Sequence, residues 1–156
     1  MQFDNKQTVI KLTKRRYLSF ISYTVGLILL FFSGWFEKPV LGIDKTIYVL
    51  SISILYILYI VITFITNYNF FSFKDEEDEF VFKFVSLRPF DNKKKSIIIK
   101  KKNFRGAEIK KALFNLKIEL VLFVETKRGK VSYPPISISA LESKYIKVLM
   151  DSLNKL

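Results

Sequence analysis

Two stretches of this chain run for about 20 residues each without a single charge, and few folds accommodate that. They are YLSFISYTVGLILLFFSGWF, residues 17–36, and TIYVLSISILYILYIVITFIT, residues 46–66. A helix rising ~1.5 Å per residue needs about 20 apolar residues to cross the hydrocarbon of a bilayer. Helices of soluble proteins keep a polar face, which neither run has. Two transmembrane helices are expected, with Tyr17, Trp35, Phe36 and Tyr48 near their ends, at the depths of the interfacial aromatic belt. Between them lies EKPVLGIDK, residues 37–45, with Pro39 and Gly42. That link is too short for a domain and forces an antiparallel hairpin. The first run is longer than the apolar stretch of a cleaved signal peptide (about 7–15 residues) and no A-x-A pattern follows it, so a permanent helix is expected.

Basic flanks set the expected orientation. Residues 1–16 form a basic segment with Lys6, Lys11, Lys14, Arg15 and Arg16 against one acid, Asp4, whereas the link balances two bases with two acids. The positive-inside rule then puts both termini in the cytoplasm, with Lys14, Arg15 and Arg16 flanking the first span. Neither span contains an ionisable acid or base of the kind that marks an ion or proton path. Ser22, Gly26, Ser33 and Gly34 in the first, and Ser51, Ser53 and Thr63 in the second, suit close packing of the hairpin or of a partner helix.

From residue 68 the apolar pattern alternates. In FFSFKDEEDEFVFKF, residues 70–84, Phe71, Phe73, Phe80, Phe82 and Phe84 bracket five consecutive acids, Asp75 to Glu79. Alternating Phe on both sides predicts two strands and a solvated turn. A calcium loop is disfavoured, since it needs alternate acids and a Gly at the bend. SIII, residues 96–99, is a short β-branched run. LKIELVLFVE, residues 116–125, aligns Leu116, Ile118, Leu120, Leu122 and Val124 on one face. TKRGK turns the chain, and VSYPPISIS returns as a strand that Pro134 and Pro135 confine to an edge or a late start. Ser139 and Glu142 fit a capping box opening an amphipathic helix over residues 140–155. The segment 100–115 has no clear pattern.

A hydrophobic hairpin, then FFSFKDEEDEFVFKF, LKIELVLFVETKRGKVSYPPISIS and the closing ALESKYIKVLMDSLNKL, resembles the pleckstrin-homology-like proteins of bacterial membranes. The resemblance implies an α+β membrane protein. Its two-helix transmembrane hairpin, residues 17–67, would precede a small antiparallel β-sheet half-barrel with a C-terminal α-helix, residues 68–156. It implies a multi-pass protein of the bacterial inner membrane, and it allows binding of phosphorylated lipid headgroups or of a protein.

No chemistry of catalysis is visible. The chain has no Cys and no His, so thiol nucleophiles, imidazole bases and thiolate or imidazole metal ligands are missing, and its 5 Gly form no phosphate loop. No catalytic residue, cofactor or metal ligand is expected. The formal net charge is +12, carried mainly by Lys, as AT-rich codon usage also produces. Lys93, Lys94, Lys95, Lys100, Lys101, Lys102 and Arg105 are the candidate contacts to anionic lipid or a partner, a solvated face being the plainer reading. The expected partners are membrane lipids together with a protein partner or a second copy, and neither nucleic acid nor a small-molecule substrate is expected. Two functions fit: a non-enzymatic membrane-anchored binding domain, or an accessory or immunity-type subunit held in a larger complex through its helices.

Overall fold

A computed structural model describes residues 1–32, 34, 44–88, 93–127 and 129–155. The chain forms two compact units: Met1–Val9 with Phe64–Leu156, and Ile10–Thr63. The element order is β1 (Gln2–Asp4), α1 (Lys6–Phe32), α2 (Lys45–Thr66), β2 (Asn69–Asp75), β3 (Glu79–Ser86) and β4 (Lys94–Lys100). A 3-10 turn (Lys101–Asn103) then leads to β5 (Phe104–Ala112), β6 (Lys117–Thr126), β7 (Gly129–Ser132), β8 (Ile136–Ser137) and α3 (Ser143–Leu153).

Both α1 and α2 are long and apolar enough to cross a membrane, with mean hydropathy of 1.2 and 2.4 in their most apolar windows and few buried side chains. They pair antiparallel. Tyr23 stacks on Tyr56 at 4.2 Å and its hydroxyl is 3.1 Å from that of Ser53, while Lys45 lies over the ring of Phe31. Of the small residues, Ser53 takes part in this contact. Gly26 does not mark a close approach, because a Cβ there would meet nothing within 4 Å. Pro39 and Gly42 of the expected link, with Ser33, Trp35 and Phe36, lie outside the described residues.

Residues 1–16 differ from the expected basic segment. They form β1 and the first turns of α1, which begins at Lys6 rather than Tyr17. Asn5 makes the change of structure possible. Its carbonyl accepts the Val9 amide as the first helical bond, and its side chain continues the strand pairing by accepting the Phe71 amide at 2.8 Å. The carboxylate of Asp4 accepts the Lys6 amide, one of the helix's orphan donors.

The first unit holds two antiparallel sheets, one in the order β1-β2-β3-β4, the other β5-β6-β7 with β8 also on β6. In the first sheet, alternation puts Phe71, Phe73, Phe80 and Phe82 inward at 1% exposure or less. They meet at tilted or edge angles, as ring quadrupoles prefer. Ile99 of β4, Leu120, Leu122 and Val124 of β6, and Leu149 and Leu153 of α3 complete one shared core. At about 1.5–3 kcal/mol for each large apolar side chain removed from water, these residues dominate the unit's stability.

The expected strand over VSYPPISIS is interrupted. Its two pieces, β7 and β8, pair with successive parts of β6, and Pro134 and Pro135, which have no amide to donate, fill the gap. The patternless segment 100–115 contains β5, whose inward residues Phe104, Ala107 and Ile109 are thrown out of period by a bulge between Phe104 and Gly106. The helix expected over 140–155 is shorter, Ser143–Leu153, and Glu142 is its N-cap without a side-chain cap bond. Ser139 instead serves the second sheet, accepting the Ile118 amide at 2.9 Å and donating to the Ile118 carbonyl. A backbone amide inside the sheet competes better for that hydroxyl than a solvated helix end.

Candidate functional site

The sequence-predicted basic residues separate into two groups at opposite ends of the first unit. The pairing of β3 with β4 sets them apart, running from Glu79 opposite Lys100 to Val85 opposite Lys94. With eight residues in β3 and about 3.3 Å per residue, the two ends are about 25 Å apart.

At one end the acidic run forms the β2–β3 turn, closed by the Glu76 amide on the Glu79 carbonyl, and Lys100, Lys101 and Lys102 leave β4 beside it. Glu76 to Glu79 and these lysines line one open cleft of about 780 Å³. Lys101 bridges to Asp75 at 2.7 Å over the ring of Phe80, Lys74 pairs with Glu76, and Arg105 pairs with Glu125 at 2.7 Å. Two of the seven predicted contacts, Lys101 and Arg105, therefore neutralise acids of the same chain. Exposed pairs of this kind contribute about 0–1 kcal/mol each, so their effect is on local charge more than on stability.

At the other end Lys94 and Lys95 begin β4, with Lys93 just before them, all three exposed and without an ion pair among the described residues. This is where the chain passes to and from the apolar helices. A buried polar junction fixes the two passages. Asn5 and Asn69 are 3% and 5% exposed, and the Asn5 amide group donates to the Asn69 carbonyl at 2.9 Å. Asn69 in turn donates to the Ser137 carbonyl, and the Ser137 hydroxyl donates to the carbonyl of Thr66. Leaving any of these groups unpaired costs about 1–3 kcal/mol, so Asn5, Thr66 and both sheets, all within the sheet unit, are held in one arrangement. Arg88 joins the same end by donating to the Phe64 carbonyl and lying 4.5 Å from that ring.

Two acids at this end are paired with lysines, whereas Asp4, next to the junction, has no ion pair among the described residues. Glu119 pairs with Lys117 at 2.8 Å and Glu142 with Lys144 at 3.0 Å. The hydrogen bond and charge of Glu142 raise the Lys144 ammonium above its ordinary pKa. Lys14, Arg15 and Arg16 belong to the helical unit, on the part of α1 before its apolar stretch.

Sequence reasoning missed the β5–β6 turn. Leu113, Phe114 and Asn115 take φ of 53°, 53° and 68°, and the Leu116 amide closes the turn on the Leu113 carbonyl at 3.0 Å. Left-handed backbone costs an ordinary side chain about 1–2 kcal/mol. Phe114 is 100% exposed, and Lys110 and Lys111 precede the turn, also exposed. The string KKALFNLK held the signal: three large apolar residues between lysines, too short for a strand of their own.

Among the described residues no cluster of three metal-ligating side chains forms. Comparison with protein-family models, curated proteins and solved structures gives no match to this chain.

Proposed function

We propose that the chain is a membrane-anchored, non-catalytic protein of the bacterial inner membrane. Its hairpin of α1 and α2 spans the bilayer with both termini cytoplasmic. Its sheet unit is a pleckstrin-homology-like domain that works at the anionic headgroup surface. The observation that carries this reading is the charge polarity of the sheet unit. Bases without an ion pair among the described residues, Lys93, Lys94, Lys95, Lys110 and Lys111, gather at the end where the chain passes to two uncharged apolar helices, and the acidic turn lies at the other end.

Magnitudes favour attraction over repulsion. Each base near an anionic leaflet gains about 1 kcal/mol. The acids sit about 25 Å away along β3, beyond the Debye length of about 8 Å at physiological salt, so their repulsion is screened. The apolar faces of α1 and α2 support insertion, since side chains such as Leu18, Phe32, Leu50 and Leu55 are exposed and need an apolar solvent. Two antiparallel sheets sharing a core with a C-terminal helix support the pleckstrin-like assignment.

The natural chain lacks Cys, so single cysteines report cleanly. Lys94→Cys and Glu77→Cys variants, each carrying a fluorophore, are placed in vesicles of neutral or mixed anionic lipid. The label at 94 should be shielded from a soluble quencher in anionic vesicles at low salt and released at high salt, with 77 accessible throughout. Equal quenching at both positions in both lipids would overturn the reading.

A further inference from the structure

The β5–β6 turn presents an apolar tip that headgroup attraction alone does not explain. Phe114 is fully exposed, and Leu113 and Leu116 are 47% and 51% exposed. Leu113 and Phe114 hold left-handed backbone that Gly or Asn would adopt without strain. The chain thus keeps two large apolar side chains where local conformation selects against them, and strain that persists at an exposed site points to a role there.

Two observations name what covers the tip. The first is place. The turn projects from Ala112 and Lys117, which pair with each other; next to them the Ile118 carbonyl accepts the Ile138 amide, and Ser137 bonds the carbonyl of Thr66, the last residue of α2. The tip therefore emerges from the end of the unit where the chain passes to the apolar helices. The second is charge: Lys110 and Lys111 stand behind the apolar tip, cations set for phosphates with a ring set for acyl chains.

We propose that the Leu113–Leu116 turn inserts Phe114 into the anionic leaflet, as a second membrane contact beside the hairpin. This rests on the reading that α1 and α2 span that bilayer. Insertion orients the sheet unit, because a domain tethered by two adjacent passages can tilt, whereas a third point fixes its plane.

The test uses the full chain in mixed phosphatidylcholine and phosphatidylglycerol vesicles, with single fluorescent labels at Phe114→Cys, Ile57→Cys and Glu77→Cys. Lipids spin-labelled high on the acyl chain serve as quenchers. Loss of fluorescence at 114 approaching that at 57, with none at 77, supports insertion. Quenching at 57 without quenching at 114 overturns the insertion alone, and shielding of 114 from a soluble quencher without lipid quenching puts protein over the tip and overturns it too. Quenching at neither 57 nor 114 overturns the membrane reading itself. A Lys111→Cys label separates the ring from the dye: its quenching should drop when Phe114→Ser is added, and no change means that Phe114 does not insert.

Discussion

Asn5 does three things in one residue: it ends β1, opens α1 and bonds Asn69 in the buried junction. Replacing it with Ala leaves the Phe71 amide and the Asn69 carbonyl without those partners. Asn5→Ala should lower the stability of the sheet unit by about 1–3 kcal/mol, read as a lower unfolding midpoint in mild detergent. Phe114 should behave in the opposite sense. Phe114→Gly removes left-handed strain at a fully exposed side chain, so stability should rise by about 1 kcal/mol even as the proposed membrane contact is lost. A fall in midpoint would show that the ring is packed rather than presented. The inward Phe residues of β2 and β3 were legible because strict alternation around a charged turn has one economical solution. The junction was not, because Asn5, Asn69 and Ser137 lie 64 and 68 residues apart in pairs and no local pattern announces their bonds.

At the level of elements, legibility followed regularity. Strands β3 and β6 put Phe80, Phe82 and Phe84, and Ile118, Leu120, Leu122 and Val124, on the expected core face, although Val81 and Val121 are buried as well and Leu116, expected with them, lies exposed before β6. β5 carries a bulge that shifts its inward residues by one, so its alternation cannot be read without its partner. The S-x-x-E pattern pointed to a cap at Ser139, but a hydroxyl near two claimants goes to the one that water cannot satisfy, here the Ile118 peptide. Ser139→Ala should therefore speed hydrogen exchange at the Ile118 amide while leaving Tyr145 and Ile146, whose amides bond the Glu142 carbonyl, as protected as before. Faster exchange at the start of α3 instead would restore the capping role. β1, only three residues long, was hidden by its length, yet it covers β2 and brings Phe3 against Phe73 and Tyr145.

For the whole molecule, the division into a helical unit and a sheet unit was legible from the change of hydropathy pattern at residue 68, but the boundary was not. The sheet unit owns Met1–Val9 as well as Phe64–Leu156, so a cut at residue 68 discards a strand and half of the polar junction. Residues 1–9 joined to 64–156 by a short flexible linker should give a soluble monomer with dispersed amide resonances, whereas 68–156 alone should associate through the bare edge of β2. Equal behaviour of the two fragments would show that β1 is dispensable.

The position of β1 ahead of the helices also has a consequence for biogenesis. Its three residues precede both apolar helices and their partner strand follows them, so Met1 and the Asp75 carbonyl that it bonds lie 74 residues apart. On the proposed two-span reading, the strand and its partner meet because the second crossing returns the chain to the side where the first began. Closure of this sheet is thus indifferent to which side the ends occupy but sensitive to the number of crossings: a single failed crossing would strand β1 and leave the edge of β2 bare.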